Sequence, residues 1–313
     1  MRKRRKIGRT VSAVIIICIF VLGSVWVGDA ARRFFHEPSD VVCIDERGVE
    51  TETESESESE QDSDLADLGQ EQDELEIQEA NLGLAGLPAG YVTERRSVAS
   101  LSEGILVCSA DMQENLVDFE SKNEYYHLKN MKLKIQESAL SAMNSLAEAR
   151  FQETGRSDLM VYSTSELYDK TGSLCPDFFP DRSTGFCLDL AFLNDDGTIS
   201  ALSEENNIWL RENCWHFGFI FSVPDSPYHI RYVGNIHAAI MQKQNLTLSE
   251  YLRILRGYSV SMPYECVYEE KQILIYFVPA AAFGYTDVPV PDHGIYEISG
   301  NGADGYIVTA YLN

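Results

Sequence analysis

The sequence has no Cys-x-x-Cys pair, no internal repeat and no clustered positive charge beyond its first nine residues. Each absence excludes something. Its seven cysteines, Cys18, Cys43, Cys108, Cys175, Cys187, Cys214 and Cys266, are scattered, which rules out zinc-ribbon chemistry. A chain of this size does not need disulfides to fold, and their pairing is not readable from spacing, so none is assigned. The missing period excludes solenoids. The missing cation clusters exclude nucleic acid as a partner, because phosphate binding needs grouped Lys and Arg side chains.

What is present supports a folded protein. Of 313 residues, 44% are hydrophobic and 11% aromatic, enough for a real core. The net charge of -24 is mostly one segment: residues 50–80 hold fourteen Asp or Glu and no Lys or Arg, leaving about -10 elsewhere. That segment, ETETESESESEQDSDLADLGQEQDELEIQEA, is poor in aromatics and dense in like charge, so it cannot bury enough apolar surface to fold alone. Residues 31–89 therefore read as an acidic, extended tether.

Six of the first nine residues are basic, and no charge interrupts Thr10 to Gly28. As a helix those 19 residues would span roughly 28 Å, close to a bilayer's hydrocarbon thickness. Residues 1–30 read as a basic cytoplasmic tail and a single-pass transmembrane anchor, with the bulk of the chain extracellular. Gly28 and Ala30 leave open a cleaved signal peptide, while the length of the run and Trp26 at its edge favour retention.

From about Tyr91 the texture becomes that of a globular domain. EGILVCSA and SDLMVYSTS read as strands. QESALSAMNSLAEARFQETG reads as a helix with Ala139, Leu140, Met143, Leu146, Ala147 and Phe151 on one face and Gly155 as its stop. SEENNIWLRENCWHFG reads as a helix from Ser203 to Gly218, FIFSV as a strand, and TLSEYLRILRG as a helix opened by Thr247 and Glu250. YECVYEE, QILIYFV, YEISG and YIVTAYL read as strands of a β-rich extension over 258–313. The expected fold class is α+β, a small antiparallel sheet flanked by helices over 90–257, followed by that extension.

Two stretches carry chemistry: DRSTGFCLDLAF, residues 181–192, and WLRENCWHFGFIFSVPDSPYHIRYVGNIHAAIMQKQNLTLSEYL, residues 209–252. Together they resemble the VanY-type zinc D-alanyl-D-alanine carboxypeptidases, over roughly residues 104–257. In that family a Ser-x-His-x-x-Gly-x-x-x-Asp motif supplies two zinc ligands, and a Glu-Pro-Trp-His motif supplies the general base and a third ligand. The first aligns here over Asp181 to Asp189 with Gly185 in register, the second as Ser226, Pro227, Tyr228 and His229, followed by Arg231 in RYVG.

The resemblance implies metal positions at Asp189 and His229, but the first His position holds Arg182, a permanent cation that cannot donate an electron pair. Ser226 stands at the general-base position, and its hydroxyl has no useful basicity near neutral pH. The family's substrate-binding Arg has no counterpart in VYSTSELYD. Tyr228 and Arg231 remain as candidate substrate-binding residues. Zinc ligation, proton transfer and carboxylate recognition each lack their usual residue, which points to a degenerate enzyme in which Arg182 enters the former metal hole and pairs with Asp189.

Taken without the resemblance, His229 in a strand-like run reads as a hydrogen-bonded core residue, His216 and His237 as helix residues, His293 as part of a turn, and Trp209, Trp215, Phe217 and Phe219 as core. Three functions stay open. The first is a non-catalytic envelope protein that binds peptidoglycan stem peptide or an envelope protein and needs no cofactor. The second is an active enzyme whose zinc shell is completed by Asp181 or a distant His, with Asp225 as base. The third is a structural or assembly factor in which the anchor and the β extension matter more than the cleft.

Overall fold

A computed structural model of the chain describes residues 42–43, 87–107, 116–119, 123–164, 180–223 and 225–312. The expected tail and anchor, and the expected tether apart from residues 42–43 and 87–89, lie outside the described residues. Among the described residues, no helix is long and apolar enough to cross a membrane. In chain order the strands are β1 (Val42–Cys43), β2 (Tyr91–Ser97), β3 (Val117–Asp118), β4 (Tyr126–Leu128), β5 (Lys134–Ile135), β6 (Leu159–Ser163), β7 (Cys187–Leu193) and β8 (Ile199–Ala201). They continue as β9 (Phe219–Phe221), β10 (His229–Tyr232), β11 (Tyr264–Tyr268), β12 (Lys271–Pro279), β13 (Tyr285–Pro291), β14 (Ile295–Gly300) and β15 (Gly305–Leu312). The α-helices are α1 (Glu137–Thr154), α2 (Ile208–Asn213), α3 (Asn235–Gln244) and α4 (Leu248–Leu255). The class is α+β.

The chain divides into two compact units, one built from residues 108–249 and 267–271, the other from 43–107, 250–266 and 272–313. The first unit holds a sheet in the order β4-β6-β7-β10-β9, with β8 paired to β7. It is not purely antiparallel as expected: β4 runs parallel to β6, because the chain crosses back through α1 between them. β7 is central and buried on both faces, which is why CLDLAFL reads as a nearly continuous apolar run interrupted only by Asp189.

Helix α1 ends where Gly155 takes a left-handed conformation at φ 69°. Its buried face is Ala139, Met143, Leu146, Ala147 and Arg150, while Leu140 and Phe151 are only half-buried. Arg150 enters the face because its guanidinium meets Asp158 at 2.7 Å and stands over the Phe192 ring. The helix expected from Ser203 starts late, at Ile208. Ser203 and Asn206 exchange side-chain hydrogen bonds with each other's backbone N–H, and that closed turn competes with helix formation. Beyond Asn213 the chain tightens into a 3-10 turn, Cys214–Phe217. The changed spacing leaves Trp209, Trp215 and Phe217 half-buried, so only Phe219 of the four aromatics is core.

In the second unit the sheet order is β1-β11-β12-β15-β14, and β2 pairs antiparallel with β13. Tyr276, Val278, Val288, Val290, Tyr306 and Val308 form its core. β13 is not among the strands expected from the sequence, since the two prolines of VPVP count against a strand. Paired on one side only, it can hold Pro289 and Pro291 without losing ladder bonds on a second side. The expected strand at EGILVCSA is absent over 103–107, where Leu106 and Val107 are buried in a turn and Leu106 N–H donates to Ser299 Oγ at 3.0 Å.

Candidate functional site

Two strands of the first unit set the site. β7 and β10 pair so that His229 lies opposite Asp189 and Arg231 opposite Cys187. Residues directly opposite share a face, and so do residues two apart on one strand. Four polar side chains, Cys187, Asp189, His229 and Arg231, are thereby brought to one buried face of the sheet.

A 3-10 turn, Pro180–Thr184, adds two more. The carbonyl of Asp181 accepts from Thr184 Oγ1 at 2.6 Å and from the Cys187 thiol at 3.3 Å, locking the turn to the start of β7. Gly185 closes it with φ 73°, and a Cβ there would run into the Leu116 side chain. This explains physically why a glycine stands in register at that position.

The side chains form one connected cluster. The Arg182 guanidinium donates to Asp189 Oδ2, and the other carboxylate oxygen, Oδ1, lies 2.7 Å from His229 Nδ1. On the far side of the imidazole, His229 Nε2 is 3.2 Å from Asp181 Oδ1. Asp181 Oδ2 accepts from Ser222 Oγ at 2.9 Å and has Arg231 Nη1 at 3.7 Å. The pairing of Arg182 with Asp189 is therefore present, and Asp181, Cys187 and Ser222 join it.

Electrostatics follow from that geometry. Burial works against charge on His229, but the carboxylates of Asp181 and Asp189 outweigh it and push the imidazole up to about 11. Burial likewise works against the Asp181 carboxylate, and His229, Arg231 and the Ser222 hydroxyl overcome it and hold the group well below the usual carboxylate range. Burial pushes the Cys187 thiol up.

The remaining sequence candidates lie differently. Arg231 is fully buried against Asp181, so as placed it serves the cluster and does not present a cation to a substrate. Tyr228 is half-buried and its carbonyl accepts from Leu190 N at 2.9 Å. Ser226 is half-buried, and its carbonyl accepts from His229 N at 3.1 Å in the turn that leads into β10. Asp225 is exposed, with φ 60°. His237 is buried in α3, and burial takes it down to about 4. Cys187 was not singled out in the sequence, although its two-residue spacing from Asp189 on a strand is the signal that places both on one face.

The positions that the resemblance assigns to a metal, Asp189 and His229, do not fit a bound zinc as they stand. The Arg182 guanidinium, which donates no electron pair, holds one oxygen of Asp189, so an ion bound to Asp189 and His229 would have to displace a fixed cation. A different donor set is assembled beside them: among the described residues, ligand atoms of Asp181, Cys187 and His229 all lie within 4.8 Å of one another.

No family model matches the chain. A D-alanyl-D-alanine carboxypeptidase of Enterococcus faecium is 35% identical over 162 residues, 47% of this chain and 50% of that protein. The chain thus spans about half the length, or less, of the curated relatives it matches. In fold it is similar to the vancomycin-resistance D,D-dipeptidase VanXYg, crystallised in complex with a D-Ala-D-Ala phosphinate analogue. The TM-score is 0.57 at 19% identity, covering 71% of this chain and 99% of that one. Over its matched region the chain is thus similar to the D-alanyl-D-alanine carboxypeptidases, which bears out the resemblance read from the sequence.

Proposed function

We propose that the chain is a catalytically degenerate member of this family, acting at the bacterial cell wall by binding a peptidoglycan stem peptide through its carboxypeptidase-like unit. An N-terminal helix would anchor it in the membrane, with the acidic segment as spacer to an extracellular domain. The carrying observation is the Arg182–Asp189 ion pair, in which a fixed cation takes the carboxylate that the resemblance assigns to a metal. Proton transfer is equally poorly served. Asp181, the carboxylate beside His229, is held too acidic for a useful general base, and the alternative base Asp225 is exposed while the cluster is buried.

The test uses the full chain and a stem pentapeptide ending in D-Ala-D-Ala, with and without added zinc. The expected result is saturable peptide binding by calorimetry and no release of D-Ala. Zinc-dependent release would show instead that an active enzyme survives with substituted parts. Absence of peptide binding, with the fold intact, would turn attention to an envelope protein partner or to an assembly role resting on the β-rich residues 258–313.

A further inference from the structure

Three donors of different chemistry meet beside the Arg182–Asp189 pair: a carboxylate, a thiol and an imidazole, with ligand atoms within 4.8 Å of one another. Two of the three are already oriented from behind. His229 presents Nε2 to the cluster because Asp189 Oδ1 holds Nδ1 at 2.7 Å. A carboxylate on the far nitrogen is the usual support of a metal-bound histidine, fixing both tautomer and ring orientation. Asp181 is held in the same manner. Its Oδ2 accepts from Ser222 Oγ at 2.9 Å and has Arg231 Nη1 at 3.7 Å, while Oδ1 and Oδ2 lie 3.2 and 3.4 Å from His229 Nε2. Donors around a tetrahedral ion with bonds of ~2.0–2.1 Å stand about 3.3 Å apart, so this pair is spaced as ligands of one ion would be.

We propose that Asp181, Cys187 and His229 form a metal site displaced from the inherited one, taking a thiophilic divalent ion of the zinc class and releasing to solvent the Nε2 and thiol protons that the ion replaces. Asp189 keeps a role in it, changed from ligand to the group that orients His229, and Arg182 anchors Asp189 in that role. The thiol selects the ion: a sulfur donor suits zinc and its neighbours and does not suit magnesium or calcium. Three protein donors leave a fourth position open, and an ion held by them would tie the turn 180–184 to β7 and β10. The proposal does not depend on loss of hydrolysis.

The experiment is metal analysis of the full chain purified without chelators, followed by replacement with cobalt. The expected outcome is close to one ion per chain, a thiolate-to-cobalt charge-transfer band, and a higher denaturation midpoint with zinc than after chelation. Cys187→Ser should abolish the band, Cys214→Ser should keep it, and Ser222→Ala should weaken affinity about 10–100-fold while retaining the site. If Cys187→Ser does not fold, the wild-type band and midpoint shift decide. No bound ion at saturating zinc, or a band that survives in folded Cys187→Ser, overturns the site. D-Ala release by the zinc-loaded protein would overturn the degenerate reading and leave this site standing.

Discussion

Asp189 lies directly across the β7–β10 ladder from His229, and their side chains meet at 2.7 Å between Oδ1 and Nδ1. Because the other oxygen of the same carboxylate receives Arg182, one buried aspartate joins a strand pair to the turn that precedes it. The consequences of that arrangement, and of three others in the fold, are open to measurement.

Arg182→Ala removes the guanidinium and leaves a buried carboxylate with one partner fewer. The expected cost is about 3–5 kcal/mol of folding free energy, read from urea unfolding. A double variant, Arg182→Met with Asp189→Asn, should cost less than Arg182→Ala alone, since no bare charge is left buried. An unchanged midpoint for Arg182→Ala would remove the ion pair from the account of the site.

Gly185→Ala should destabilise by about 1–3 kcal/mol, because φ 73° disfavours any side chain and the new Cβ meets Leu116. Gly197→Ala, also at positive φ but with open space around it, is the control and should cost less. Equal losses at the two positions would show that close approach at Gly185 contributes nothing.

His237 is buried and taken down to about 4 from a reference value of 6.5. The unfolded chain accepts a proton that the folded protein refuses, so the contribution is complete above about 6.5 and is lost as pH falls toward about 4. The slope in that window is at most ~1.4 kcal/mol per pH unit. His237→Leu should flatten this acid limb relative to the wild type. Parallel pH profiles for the two proteins would contradict it.

In the second unit, the Tyr276 hydroxyl donates to the Pro289 carbonyl at 2.6 Å inside the core. Tyr276→Phe keeps the ring packing and strands that carbonyl, for an expected loss of about 1–2 kcal/mol. A midpoint within error of wild type would show that the carbonyl finds another donor.

Much of the scaffold could be read from pattern alone. Gly155 marked the end of α1, and the apolar, β-branched runs at 271–279 and 305–312 marked β12 and β15. Those signals are local, carried by residues a turn or two apart. The misreadings have a different origin. Ser203 looked like a helix start because a capping residue is also a turn residue, and its exchange with Asn206 decides between the two only in three dimensions. No strand was expected at VPVP because the one-sided pairing that tolerates its prolines depends on β2, almost two hundred residues away.

The candidate site divides along the same line. Residue identity alone determined that a guanidinium, which has no electron pair to give a metal, stands at Arg182 and a weakly basic hydroxyl at Ser226. Only tertiary structure decided that Asp181, Cys187 and Ser222 gather around His229 while Arg231 turns inward to them. Their meeting depends on the register between β7 and β10 and on the left-handed turn at Gly185. A shift of one residue in that register would send every one of the strand side chains to the opposite face.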